Sequence, residues 1–154
     1  KSPLQSYFDR SSFKVYLADI GLLSTMAGLS PTILLQGEAL FNEFGGAFVE
    51  NYVAQQLIAT LDQNLCYWKN ETGLAEVDFI CEKDGAIYPL EVKSGINVRS
   101  KSLKFFGDRF KSEFMCRTTL KNLKTDGKII NFPLYLISLH QKLLPITAFP
   151  QLAH

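Results

Sequence analysis

The chain is poor in the residues that build zinc sites. It has two histidines, three cysteines and no CxxC pair. His140 and His154 stand alone, and each is expected to be a surface or packing residue. Cys66, Cys81 and Cys116 are odd in number and widely spaced, which excludes a disulfide framework and predicts buried, reduced thiols in a cytosolic protein. No apolar run approaches the roughly 20 residues of a membrane helix, and no secretory signal, internal repeat or low-complexity linker is visible. The expectation is a cytoplasmic protein with no membrane partner. The first residue is Lys1 rather than Met, so a piece of a longer protein is expected.

What is present describes an ordinary folded domain. Of the 154 residues, 47% are hydrophobic and 20% charged, enough to bury one core. The net charge of +1 says little about partners, but its distribution says more. Lys93 to Lys128 holds ten Lys or Arg against three acids, an excess of seven positive charges. The remainder of the chain therefore carries −6. Such a split suggests a basic surface for a polyanion; the bland alternative is a solvated helix face.

Periodicity sets a coarse layout. KSPLQSYFDRSS is polar and turn-rich, a connector. FKVYLAD alternates Phe13, Val15 and Leu17 with Lys14 and Tyr16, the pattern of a short strand. IGLLSTMAG reads as a short helix or turn ending at Gly28, and Pro31 marks a break. From about Asn42 to Leu61, Phe44, Phe48, Val53, Leu57 and Leu61 recur on one helical face, with Gly45 and Gly46 near its start. LCYWKN, AEVDFICE and AIYPLEVK read as strands. Asp84-Gly85 between the last two is a strong hairpin signal, since both residues tolerate positive φ. A second helix is expected over about 100–112, with Leu103, Phe106 and Phe110 inward and Lys101, Lys104 and Lys111 outward. EFMCRTTL and NFPLYLISL are further strand candidates, and Asp126-Gly127 is another turn signal. Pro133 predicts an edge position or an irregular start for the final strand. The fold class is α/β: a mixed central sheet flanked by helices. Residues 1–35 are expected to be a linker and strand/helix element packed on a domain of residues 36–154.

The hairpin carries the chemistry. With Asp84 and Gly85 at its tip, paired positions sum to 169, so Asp78 faces Glu91 and Glu76 faces Lys93. Alternation then points all four to one side of the sheet. Opposed carboxylates destabilise a hairpin, and a hard divalent cation between them removes the repulsion. Such an ion polarises a phosphodiester and acidifies a bound water. Lys93 would orient that water or stabilise charge on the phosphate. Glu50 precedes Val53, Ala54, Leu57 and Leu61 by three, four, seven and eleven residues, so it sits on or beside the buried stripe of its helix. The bland readings are a wet sheet face with cross-strand ion pairs, and a Glu50 that reaches solvent. Against the first, Val77, Phe79, Leu90 and Val92 on one side and Ile80 and Pro89 on the other are all apolar. That is the pattern of a sheet covered on both faces.

VDF around Asp78, followed by Glu91-Val92-Lys93, resembles the PD-(D/E)XK nuclease superfamily with its restriction-endonuclease-like fold (α-β-β-β-α-β). The resemblance covers about residues 43–110. It implies a metal site of Glu50, Asp78, Glu91 and the Val92 carbonyl, with Asp78, Glu91 and Lys93 catalytic and Mg²⁺, or Mn²⁺ in its place, as cofactor. Val77 stands where that superfamily has its name-giving proline. A narrower resemblance spans nearly the whole chain: FKVYLADIGLL, GEALFNEFGGAFVENYVAQQL, YWKNETGLAEVDFI, YPLEVKSG and NFPLYLIS are similar to the C-terminal domain of unknown function of prokaryotic AAA-type ATPases. It implies an ATPase domain and a winged-helix domain earlier in a parent chain. No GxxxxGK(S/T) occurs in this sequence, so it does not bind ATP through that motif.

Three functions remain open on these residues. One is a Mg²⁺-dependent nuclease. One is a catalytically inactive module holding nucleic acid through Arg99, Lys101, Lys104 and Lys111. The third is a protein-interaction domain that regulates the ATPase. The charge split favours the first two over the third, and the complete carboxylate and lysine set favours the first over the second. No run of exposed aromatics interleaves the basic residues, which gives single-strand specificity little support.

Overall fold

The computed structural model describes residue 9 and residues 11–29, 45–61, 64–95 and 99–144. The expected domain boundary at 35/36 and most of the polar connector lie outside them. So do residues 42–44, the expected first turn of the long helix.

A short helix, α1 (Ile20–Met26), is capped by Asp19, whose side chain accepts the Leu22 N–H. It ends before Gly28 at φ +69°, where the sequence placed its stop. Helix α2 (Gly45–Thr60) follows. Then come β1 (Cys66–Lys69), β2 (Glu76–Lys83), β3 (Ala86–Val92), α3 (Lys101–Phe110), β4 (Met115–Thr119), β5 (Lys124–Asp126) and β6 (Ile129–Pro133). A 3₁₀ segment (Leu134–Leu139) and the one-turn α4 (His140–Leu143) complete the described chain.

The strands form one sheet in the order β1-β2-β3-β4-β6-β5. The pairs β1/β2, β2/β3 and β5/β6 are antiparallel; β3/β4 and β4/β6 are parallel. The architecture is α/β, a mixed six-stranded sheet with helices on both faces. Val53, Ala54 and Leu57 of α2 pack with Phe79, Cys81, Tyr88, Leu90, Cys116, Phe132 and Ile137 on one face. Leu103 and Phe106 of α3 pack with Val77, Ile80, Met115 and Ile129 on the other. Each fully buried Val, Leu, Ile or Phe among them contributes about 1.5–3 kcal/mol. Gly107 lets α3 lie close to the sheet, since a Cβ there would overlap the Met115 side chain. No helix among the described residues is long and apolar enough to cross a membrane.

Three expectations need correction. FKVYLAD is not a strand: residues 12–17 have no sheet partner among the described residues. Its facing is also inverted, with Phe13 and Val15 78% and 76% exposed while Lys14 and Tyr16 turn inward. Polar partners explain it, because Glu50 and Asn51 wait on α2. NFPLYLISL is only partly strand: β6 begins at Ile129, ends at Pro133, and lies inside the sheet between β4 and β5. Pro133 is tolerated as the last strand residue, where the chain turns into the 3₁₀ segment. Phe110 is half-exposed rather than core, its ring lying 5.9 Å from that of Trp68.

Candidate functional site

Asp84 and Gly85 take φ of +51° and +76°, the positive values a tight hairpin requires. The register is the expected one over Lys83↔Ala86 to Phe79↔Leu90. There the ladder stops. On the other edge of β2, Cys66 pairs with Ile80 but Trp68 pairs with Val77, so two residues of β1 span three of β2. The extra residue is a bulge, a device that re-aims side chains. Val77 and Ile80 both face α3, while Phe79 faces α2.

The bulge moves Asp78 off the face that alternation assigned to it. Its carboxylate enters the fork between β2 and β3, where Oδ2 accepts the Val92 N–H at 2.7 Å. Burial chiefly pushes its pKa up, to about 6; the Val92 N–H and Lys14 oppose this, and the charges of Glu50 and Glu91 add to it. Asp78 thus sits between two acids, one on each side of the sheet.

On the α2 side, Glu50 Oε1 accepts from Tyr16 Oη at 2.6 Å and Lys14 Nζ at 2.9 Å. Lys14 Nζ also lies 2.6 Å from Glu76 Oε1 and 3.9 Å from Asp78 Oδ1. Burial works against this ammonium, yet the Glu76 and Glu50 carboxylates outweigh it and raise its pKa. Burial, reinforced by Glu50, raises the Tyr16 phenol well above its ordinary range. The segment carrying both residues is clamped by buried Asn51, which accepts the Leu17 N–H at 2.8 Å and donates to the Leu17 carbonyl at 3.0 Å. An open groove of about 540 Å³, lined by Lys14, Tyr16, Tyr67, Trp68 and Phe79 among others, reaches Asp78 from outside.

On the α3 side stand Glu91 and Lys93. Leu90 and Val92 pack on the α2 side, so alternation turns Glu91 the other way. Glu91 is only 5% exposed, and its Oε1 is bound by Lys93 Nζ at 2.7 Å. Oε2 of Glu91 and Oγ1 of Thr118 are the buried side-chain oxygens without a hydrogen-bond partner among the described residues. Glu91 is paired with Arg117 of β4 in the parallel ladder. Arg117 is itself held by Asn131 Oδ1 at 3.1 Å and Ser100 Oγ at 3.4 Å.

The expected single-faced quartet is therefore corrected. Glu91 and Lys93 are together, Asp78 lies in the fork beside them, and Glu76 joins Lys69 in register and Lys14 in charge rather than Lys93. Among the described residues, no three acids, histidines or cysteines converge as a ready metal cage. The oxygens here that could serve as cation donors are those of Asp78 and the unpartnered Glu91 Oε2. That donor set suits a hard ion that keeps several waters. Arg99, Lys101, Lys104 and Lys111 are exposed at or near α3, which covers the face toward which Glu91 turns. Sequence reasoning missed Lys14, Tyr16 and Asn51. The available signal was the polar phase of FKVYLAD, which matches the exposed-edge position of Glu50.

Comparison with known proteins adds family rather than activity. The model described as "Domain of unknown function (DUF4143)" matches residues 45–137. "Uncharacterized protein Rv2008c" of Mycobacterium tuberculosis and "Uncharacterized protein Mb2031c" of Mycobacterium bovis are each 36% identical over 85 residues, which is 54% of this chain. The match spans only 18% of the length of either relative. No solved structure matches. The matched segment runs from α2 to the 3₁₀ segment and holds Glu50, the β2 bulge and the Glu91–Lys93 pair, so the chain belongs to the DUF4143 family.

Proposed function

We propose that this chain is a Mg²⁺-dependent nuclease domain with a restriction-endonuclease-like core, hydrolysing phosphodiester bonds of nucleic acid. The observation that carries the reading is Glu91: a carboxylate buried to 5% exposure, with one oxygen on Lys93, the other unpartnered, and Asp78 in the fork beside it. A buried, half-satisfied carboxylate is costly and is retained where it has a ligand to meet. The order α2-β1-β2-β3-α3-β4 is consistent with the core that the sequence resembles.

In this reading Glu50, Asp78, Glu91 and the Val92 carbonyl would hold the ion. The ion supplies Lewis acidity toward the phosphate and a bound water of lowered pKa. Lys93, oriented by Glu91, stabilises the negative charge that gathers on the phosphate oxygens. Arg99, Lys101, Lys104 and Lys111 hold the backbone of the nucleic acid through phosphate contacts. The domain works in the cytoplasm, within a larger chain that carries ATPase and winged-helix domains.

A second reading has its own support. Lys14 already bridges Glu50, Glu76 and Asp78, which favours a catalytically inactive module that binds nucleic acid or regulates the ATPase. Incubation of the chain with labelled DNA and RNA in Mg²⁺ or Mn²⁺ separates the two. The nuclease reading predicts cleavage that EDTA and Lys93→Ala abolish. Salt-sensitive binding without cleavage in either ion would establish the second reading instead.

A further inference from the structure

The outer face of α3 mixes rings with cations. Lys101, Phe105 and Arg109 follow one another at steps of four residues, a single row on the helix with Cβ atoms about 5–6 Å apart. Phe105 is 46% exposed and Phe110 51%. Both lie against Trp68 of β1, whose ring centroid is 6.0 Å from that of Phe105 and 5.9 Å from that of Phe110. Buried Phe106 packs on Trp68 as well, at 5.3 Å, and so fixes its place. The Arg109 guanidinium stands over the Phe110 ring, 5.8 Å from its centroid. Lys104 and Lys111 are exposed on the same helix and at its end. The sequence shows no run of aromatics among these basic residues; the fold assembles one by laying Trp68 against α3.

The composition of this face decides between partners. The cores of protein interfaces are depleted of charge, whereas cations border both exposed rings here, and no aliphatic side chain of α3 is exposed. The acids nearby do not cancel those cations. Asp108 is the one acid on α3, and Glu71, itself 94% exposed, reaches Arg109 only at 3.9 Å. We propose that Phe105 and Phe110, backed by Trp68, are a stacking platform for unpaired bases, so that the domain binds single-stranded nucleic acid in preference to duplex. The inference rests on the nucleic-acid reading above and needs no metal ion. Every base has a π-face, so exposed rings hold a single strand without reading its sequence. In a duplex those faces are stacked on one another and out of reach. Lys101, Lys104 and Arg109 take the phosphates that run past the rings, and Arg109 adds a cation–π contact of its own.

Trp68 is the one tryptophan of the chain, so its fluorescence reports on the platform directly. The probes are an oligothymidylate and a duplex of equal length, longer than the roughly 4–16 nucleotides of a single-strand site. Both are end-labelled and read by anisotropy in EDTA at one salt concentration, and unlabelled oligothymidylate serves for the tryptophan signal. The intact chain should bind the single strand at least about tenfold more tightly than the duplex, with Trp68 fluorescence quenched at saturation. Phe105→Ala and Phe110→Ala should each weaken the single strand about tenfold and leave the duplex unchanged, while Phe105→Tyr keeps the wild-type preference. Single-strand affinity that does not exceed duplex affinity, that survives both alanine substitutions, or that leaves the Trp68 signal unmoved would overturn the inference and leave the nucleic-acid reading intact. Binding of neither probe would overturn both and leave the rings to a protein partner. Should an alanine variant not fold, Phe105→Leu, apolar but without a π-face, carries the same comparison.

Discussion

Asp78 uses its side chain to do what a neighbouring strand's backbone ordinarily does: its Oδ2 accepts the Val92 N–H at 2.7 Å just beyond the last cross-strand pair. The carboxylate closes the fork between β2 and β3, and that place is unfavourable for a charge. Its pKa is pushed up to about 6, above the ordinary 3.8, chiefly by burial. Between those two values the folded state holds a proton that the unfolded chain has released, so this group's contribution to stability falls as pH rises through the window. At neutral pH the ionised form is a liability. Asp78→Asn should therefore raise the stability of the metal-free chain by about 1 kcal/mol, read as a higher urea midpoint at pH 7. A lower midpoint would mean that the ionised form is held by stronger partners than those described.

Glu91 and Lys93 are coupled in the opposite sense. Lys93→Met leaves a buried carboxylate without its ion pair, and a loss of about 2 kcal/mol is expected, reduced from the fully buried case because Lys93 is 32% exposed. Adding Glu91→Gln to Lys93→Met should recover most of that loss without restoring cleavage. Chemical denaturation of the three variants checks it; additive effects of the two substitutions would show that the pair is not coupled.

Far from the site, His140 supplies a pH dependence of its own. It is fully buried. Nδ1 lies 2.7 Å from the Ile137 carbonyl, which can only accept, so Nδ1 donates. Nε2 then accepts from the Tyr88 hydroxyl at 2.9 Å, and the ring is neutral. Burial first, and then the charge of Lys83, hold its pKa below 6.5 against the pull of the Ile137 bond. The unfolded chain gains this proton first as pH falls, so stability is complete above about 6.5 and declines below it. His140→Gln should flatten the melting temperature between pH 7 and pH 5. An unchanged slope would assign the acid sensitivity to other groups.

How much of this was legible in the sequence depended on the kind of signal. The hairpin and its register were legible, because Asp84-Gly85 admits a single tight turn and the period of two does the rest. Helix α2 and its buried Val53 and Leu57 were legible for the same reason of period. The bulge was not: an extra residue at Asp78 arises from how β1 pairs with β2, and no local pattern in VDF announces it. Lys14 was hidden by the same logic. Alternation in FKVYLAD has two phases, and hydrophobicity alone chose the wrong one. The phase was decided by Glu50 and Asn51, 36 and 34 residues away from their partners Lys14 and Leu17.

The exposed lysines of α3 give a prediction about salt. If Lys101 and Lys104 touch phosphates, replacing both with Glu should weaken duplex binding uniformly across sequences. The slope of log affinity against log salt should fall by about two in magnitude. Fluorescence anisotropy at several salt concentrations reads both. An unchanged slope would move the nucleic-acid surface away from this helix.

The central claim is that the fork between β2 and β3 receives a divalent cation, and calorimetric titration with Mg²⁺ tests it most directly. Saturable binding to the intact chain that disappears in Asp78→Asn, with the variant still folded, is the outcome predicted. Superimposable traces for the two proteins, whether both flat or both binding, would contradict it.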